Sequence, residues 1–311
     1  MQGVFLDQKL SLKTDLPVPE VEKRGALIRP TLVGICKTDL ELIKGYMGFR
    51  GVLGHEFVGV VEKSDDPRWV GKRVVGEINC SPRDSVTSDP RHQTGRTVLG
   101  ILGRDGVMAE RFTLPLENIL TVPDHLSDEK AVFTEPLAAA YQIQEQIRTL
   151  PGRALVLGDG KLGALCALAL TDLGCKVRWV GKHSGKLAPL AALVETVLLE
   201  NLDHNLFPLV VEATGSAHGL EVALSRVIPT GTVVLKTTVA EAHKIDLAPI
   251  VINEITVLGS RCGRFQPALD ALSEGRIDPT FLVEKTYPLS QAMAAFEHAA
   301  RPGAAKVLLK L

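Results

Sequence analysis

Residues Ala154 to Lys182 constrain the fold more than any other stretch. An apolar run, Ala154-Leu155-Val156-Leu157, leads into Gly158-Asp159-Gly160-Lys161-Leu162-Gly163. Leu162, Leu165, Cys166, Ala169, Leu170 and Leu173 then fall on one face at helical spacing. Gly174 stands where a helix stops, and Lys176-Val177-Arg178-Trp179-Val180 reads as a second strand. Strand, G-x-G-x-x-G, helix and strand within about thirty residues is the context in which this glycine pattern binds a dinucleotide. Gly158 is expected to make the tight turn, Gly160 to let a pyrophosphate approach bare backbone, and Gly163 to let the helix pack close to the strand. The backbone N–H groups of Lys161, Leu162 and Gly163, at the start of the helix, then face the phosphates. An ordinary parallel turn that uses glycine only for geometry is the alternative.

The chain of 311 residues suits two domains. Apolar residues make up 45% and charged residues 23%, as in soluble globular proteins. A formal net charge of −1 with scattered basic residues argues against a nucleic-acid partner. No apolar run reaches the length of a membrane span, and the charged N-terminal stretch has no signal-peptide core. Cys36, Cys80, Cys166, Cys175 and Cys262 are odd in number and widely spread, which implies a reducing, cytoplasmic setting.

Residues 1 to about 120 read as short strands broken by Pro, Gly and Asp. Residues 79–97 are polar and read as a surface loop or lobe. A helix is expected over Leu137–Ile147, introduced by Pro136. Residues 154–262 alternate strand and helix, which predicts a parallel sheet. Beyond Pro267 come two helical stretches and a terminal strand, Lys306–Lys310, placed to return to the first domain.

A second constellation precedes the glycine motif. Gly34-Ile35-Cys36-Lys37-Thr38-Asp39 and Gly54-His55-Glu56-Phe57-Val58-Gly59 bring a thiol, an imidazole and a carboxylate, all zinc-competent, within a short span. Taken singly, Cys36 reads as a buried thiol, His55 as a hydrogen-bonded core residue and Glu56 as a surface charge. Asp39 is placed to accept the second ring N–H of a ligating His55. Thr38 sets a hydroxyl two residues after the thiol, and Glu135 supplies another carboxylate.

With GICKTD, LGHEFVG, TEPLAAA, VLGDGKLG and VVEATGS in this order, and PGAAKVLLKL at the end, the chain resembles the zinc-dependent medium-chain dehydrogenase/reductase family over nearly its whole length. The resemblance implies an α/β protein: a Rossmann doubly wound parallel sheet over residues 137–262, plus a GroES-like β-barrel catalytic domain over 1–136 and 263–311. It implies Cys36, His55 and Glu135 as zinc ligands, Glu135 standing where polyol and sugar dehydrogenases have a glutamate, with Glu56 close behind as a direct or alternating ligand. Only Cys80 lies in the region where many members carry four thiolates, so one catalytic zinc and no structural zinc are expected. Glu41 stands where several members place a proton-relay histidine.

The activity implied is hydride transfer between an alcohol, polyol or sugar and NAD(P), with Cys36, His55 and Glu56 at the metal and Thr38 taking the alcohol proton. A zinc-free quinone or enoyl reductase and a non-catalytic nucleotide-binding member of the same fold are the alternatives. An acid about twenty positions beyond the glycine loop selects NAD. Here the turn reads Gly181-Lys182-His183-Ser184-Gly185-Lys186, with room at Gly181 and cations at Lys182, His183 and Lys186, which favours NADP over NAD. Thr214, after a later strand, is a further candidate for cofactor contact. Arg261 is another, with a salt bridge at the domain junction as the alternative. A homodimer or homotetramer is expected, with Thr230–Thr238 as a candidate edge strand. His92, His125, His204, His218, His243 and His298 read as surface or structural residues.

Overall fold

Short strands separated by Pro, Gly and Asp do dominate the first 121 residues of the computed structural model, which describes residues 1–82, 89–238 and 244–311. The chain divides into two units, Met1–Glu135 with Phe265–Leu311, and Pro136–Arg264. Among the described residues no helix is long and apolar enough to cross a membrane. His243 lies outside the described residues.

In the first unit, β1 (Gly3–Leu6), β2 (Leu10–Lys13), β3 (Gly25–Gly34), β4 (Gly51–Val52), β5 (Glu56–Ser64) and β6 (Arg73–Gly76) are followed by β7 (Asn79–Cys80), β8 (Thr97–Leu99), β9 (Gly103–Arg104), β10 (Phe112–Pro115) and β11 (Ile119–Thr121). A short helix, α1 (Lys37–Ile43), follows β3. β1 is flanked by β2 and β4, and β8 by β7 and β9, in two small sheets. Asn79 and Cys80 are therefore buried and strand-paired within the stretch read as a surface loop. The principal sheet runs β11-β6-β5-β3 and carries β10 on β3. Ile28, Val33, Val58 and Leu114 are buried in it. Phe57 and Phe112 meet edge to face with centroids 4.8 Å apart.

The second unit holds α3 (Thr134–Gln146), which starts at the junction, and six parallel strands. These are β12 (Arg153–Leu157), β13 (Lys176–Gly181), β14 (Glu195–Leu198), β15 (Phe207–Glu212), β16 (Val227–Leu235) and β17 (Thr256–Gly259). α2 (Asp128–Ala131) precedes α3, and α4 (Lys161–Asp172) joins β12 to β13. The spatial order β14-β13-β12-β15-β16-β17 is the doubly wound order, reversing direction between β12 and β15. Leu155, Leu157, Val210 and Val233 form part of its apolar core. The expected edge over Thr230–Thr238 is a correction: β16 lies between β15 and β17, and the sheet's edges are β14 and β17. A strand-like run reveals nothing of its neighbours, which are set by the crossovers.

The chain then returns to the first unit as β18 (Val283–Pro288) and β19 (Lys306–Lys310). β19 pairs antiparallel with the free side of β3, Leu308 opposite Gly34, so the terminal strand does complete the principal sheet.

Candidate functional site

Three strand ends create the first site. The end of β3 lies opposite the start of β5, with Gly34 facing Glu56. On its other side β3 meets the start of β19, and the Ile35 N–H donates to the Val307 carbonyl. Cys36 just after β3, His55 and Glu56 at the start of β5, and Lys306 opening β19 are thereby drawn together. Gly34 is required here, since a Cβ on it would collide with the Glu56 carboxylate. Gly54 turns the chain into His55 at a φ of 98°, in the left-handed region.

One ligand atom each from Cys36, His55 and Glu56 lies within 4.8 Å of the others. His55 is 3% exposed and Glu56 1%, whereas Cys36 is half-buried. Asp39, wholly buried at the third position of α1, ties two of them: its Oδ2 accepts the Cys36 backbone N–H at 2.8 Å. Its Oδ1 lies 3.4 Å from His55 Nδ1, within ion-pair reach but not aligned as a hydrogen bond. A carboxylate on the Nδ1 side is the arrangement that turns Nε2 toward a metal. Thr38 Oγ1 is 3.7 Å from Cys36 Sγ.

Glu56 divides its carboxylate. Oε2 accepts from Lys306 Nζ at 2.5 Å, while the buried Oε1 has no hydrogen-bond partner. Lys306 also lies over the Phe133 ring, 5.7 Å from its centroid. Burial opposes its charge, but Glu56, Cys36 and Glu135 outweigh burial and raise its pKa. Burial likewise opposes a charged His55, yet Asp39 and Cys36 hold its pKa well above the ordinary imidazole range. Glu135 stands outside the three-atom group but within their electrostatic reach. Desolvation pushes its carboxyl up to about 7, with Glu56 adding to the rise and His55 and Lys306 opposing it.

The donor set fits zinc: a thiolate, an imidazole oriented by a carboxylate, and a carboxylate oxygen buried with nothing to satisfy it. Glu56 joins Cys36 and His55 more closely than Glu135 does, the reverse of the weighting drawn from resemblance. Glu41 pairs with Lys44 at 3.0 Å. Lys306 was read as the start of the terminal strand but not as part of the site; unlike exposed Lys310 at the other end of that strand, it is buried.

The second unit carries the glycine loop. Gly158 adopts a φ of 114°, and a Cβ there would lie 2.5 Å from the Ala213 carbonyl oxygen. A Cβ on Gly163 would collide with the Gly158 carbonyl, so that glycine permits the close helix–strand approach. A Cβ on Gly160 would meet nothing, which leaves open space where the loop begins α4. That bare cradle, followed by the N–H groups of Lys161, Leu162 and Gly163, fits a pyrophosphate. Trp179, 1% exposed, donates its indole N–H to the Gly158 carbonyl at 2.8 Å and fixes the turn.

Beyond β13, Lys182 and His183 are exposed and Lys186 is half-buried. Their turn is held by Asp159, whose carboxylate accepts the N–H groups of Lys182 and His183. Thr214 donates its hydroxyl to Glu212 Oε1 at 2.5 Å and its backbone N–H to the same oxygen at 2.8 Å. Glu212, 2% exposed, was not foreseen, although a lone acid ending an apolar strand was the signal. Among the remaining histidines, His298 is buried between Tyr287 and Glu284, and His125 bonds Ser273, both structural.

Residues 22–124 match the alcohol dehydrogenase GroES-like domain. A glucose 1-dehydrogenase of Methanocella arvoryzae is 30% identical over 280 residues, covering 79% of this chain and 78% of that protein. A sorbitol dehydrogenase of Bombyx mori is 26% identical, covering 94% of this chain and 93% of its own. The solved structure of an alcohol dehydrogenase from Thermus sp. ATN1 superposes with a TM-score of 0.86 at 28% identity, covering 100% of this chain and 99% of that one.

Proposed function

Because the chain belongs to the zinc-dependent medium-chain dehydrogenase/reductase family, we propose that it oxidises a small alcohol, polyol or sugar to the carbonyl compound with NAD(P) as hydride acceptor, and runs the reverse reduction. The observation that carries the reading is the trio of donor atoms from Cys36, His55 and Glu56 within 4.8 Å, backed by Asp39. Similarity to the glucose and sorbitol dehydrogenases supports a hydroxylated substrate.

Cys36, His55 and Glu56 would hold the zinc, with Glu135 as a nearby carboxylate able to exchange with Glu56. When bound, zinc makes the alkoxide accessible near neutral pH and the nicotinamide accepts the hydride. Thr38 takes the hydroxyl proton of the alcohol and passes it toward solvent. Asp39 sets a carboxylate beside the Nδ1 side of the imidazole, and Lys306 fixes one of the Glu56 oxygens. The balance is an alcohol and oxidised coenzyme giving a carbonyl compound, reduced coenzyme and one proton.

The Gly158–Gly163 loop binds the coenzyme. The basic turn with Lys182, His183 and Lys186 supports NADP, while the Asp159 carboxylate seated on that turn supports NAD. A homodimer or homotetramer belongs to the same reading. What supports it is the edge strand β17, with Leu247, Val251 and Ile252 nearby in sequence and 58%, 75% and 77% exposed. None of the five cysteines is in a disulfide, in keeping with a reducing, cytoplasmic setting.

The test is a dehydrogenase screen over alcohols, polyols and aldoses with both coenzymes, combined with metal analysis. Coenzyme reduction that depends on stoichiometric zinc and is lost in Cys36→Ser is the expected result. Full zinc content and full activity in Cys36→Ser would overturn the metal role.

A further inference from the structure

Asp159 is the variable residue between the first two glycines of the loop, and the motif assigns it no task. Its side chain is 14% exposed and turned toward the end of β13. One oxygen, Oδ2, accepts the backbone N–H of Lys182 at 2.7 Å and of His183 at 2.8 Å. The same oxygen lies 2.9 Å from His183 Nδ1. Gly181 makes this possible, because a Cβ there would collide with the Asp159 side chain. Burial opposes the charge, but the His183 ring and the two backbone donors outweigh it and hold the Asp159 carboxyl below its ordinary range.

Two successive backbone N–H groups and an imidazole converging on one point form an anion niche. Here the chain itself supplies the anion. In a dinucleotide fold the turn about twenty positions past the glycine loop meets the 2′ position of the adenosine ribose. A carboxylate at that point accepts from a 2′-hydroxyl, whereas a 2′-phosphate wants donors and cations there. The two backbone donors of this turn and the His183 ring are already engaged, and the engaging group is negative.

We propose that Asp159, delivered from the glycine loop instead of from the end of β13, is the acid that reads the ribose 2′ position and sets a preference for NAD over NADP. The proposal rests on the dinucleotide site of the preceding subsection and reverses the preference expected from the cations of the turn. Lys182 and Lys186 then serve as solvated charges, and a 2′-phosphate enters only by displacing the Asp159 carboxylate from the niche.

Calorimetric titration of the full-length protein with NADH and with NADPH tests this, alongside Asp159→Ala and Asp159→Asn. The wild type is expected to bind NADH about tenfold or more tightly than NADPH, since a 2′-phosphate must face a fixed carboxylate. Asp159→Ala frees the niche and is expected to narrow or invert that ratio by about tenfold, chiefly through tighter NADPH binding. A wild type that binds NADPH as tightly as NADH, or a ratio unmoved in both variants, overturns the proposal. Where neither variant folds, AMP against adenosine 2′,5′-bisphosphate on the wild type decides: tighter AMP upholds the proposal, and tighter bisphosphate overturns it. If neither coenzyme nor AMP binds the wild type, the dinucleotide site itself fails, a distinct outcome from an altered preference.

Discussion

Lys306 Nζ lies 2.5 Å from Glu56 Oε2, joining two side chains that are 250 residues apart in the chain and almost wholly buried. In the zinc-free protein, removing the cation leaves a buried carboxylate with neither of its oxygens satisfied. Lys306→Met is therefore expected to cost roughly 3–5 kcal/mol, the usual penalty for an orphaned buried charge. Urea denaturation of the variant checks this. A loss below about 1 kcal/mol would mean that the carboxylate finds another partner.

The competition between Glu56 and Glu135 has a direct readout. Only Glu56 stands with Cys36 and His55 in the tight trio. Glu56→Gln is expected to lose zinc at a lower chelator concentration than Glu135→Gln, and Cys36→Ser to purify without stoichiometric zinc. Atomic emission on dialysed protein measures all three. Equal retention in the two glutamine variants would assign the carboxylates interchangeable roles.

Asp39 holds the metal site from behind, one oxygen on the Cys36 N–H and the other facing the His55 ring. Asp39→Asn retains a hydrogen-bonding side chain of similar shape but removes the charge opposite the imidazole. Zinc affinity is expected to fall by about 10- to 100-fold, as for other partners of ligating histidines. Competition with a chromogenic chelator gives the number, and circular dichroism separates it from unfolding.

Acid sensitivity of the small lobe follows from Asp89. Hydrogen bonds from Arg91 pull its carboxyl from 3.8 to about 2 against the opposing effect of burial. A lowered folded-state pKa contributes stability above the unfolded value of 3.8 and loses it as the pH falls toward 2. The side chain is 33% exposed, so solvent screening reduces the contribution to about 1 kcal/mol. Asp89→Asn is expected to lower stability by about that much at neutral pH, with about half the difference gone by pH 3. Urea midpoints taken at pH 7, 5, 4 and 3 test the trend.

Much of the fold was legible because its signals are local. The βαβ unit around Gly158–Gly163 joins two periodicities with glycine chemistry; Gly158 and Gly163 sit in close contacts, and Gly160 faces open space. The terminal strand was readable from the apolar run after Lys306, and Cys36 and His55 from their short motifs. Asp159 and Lys306 were not readable, because each acts through a register that brings distant residues together: β13 beside β12, and β19 beside β3. The weighting of Glu135 against Glu56 came from resemblance, whereas the grouping of Glu56 with Cys36 and His55 needed the register of β3 and β5.

The interrupted first unit also dictates an order of events during synthesis. Lys306 leaves the ribosome 250 residues after Glu56, and the intervening Pro136–Arg264 segment forms a unit of its own. The Rossmann unit is thus free to mature while its elder neighbour waits, one flank of β3 bare and the Glu56 carboxylate without its cation. Assembly of the zinc-binding half is a closing act of biogenesis, and a nascent chain stalled before β19 presents an open sheet edge to the chaperones that meet it.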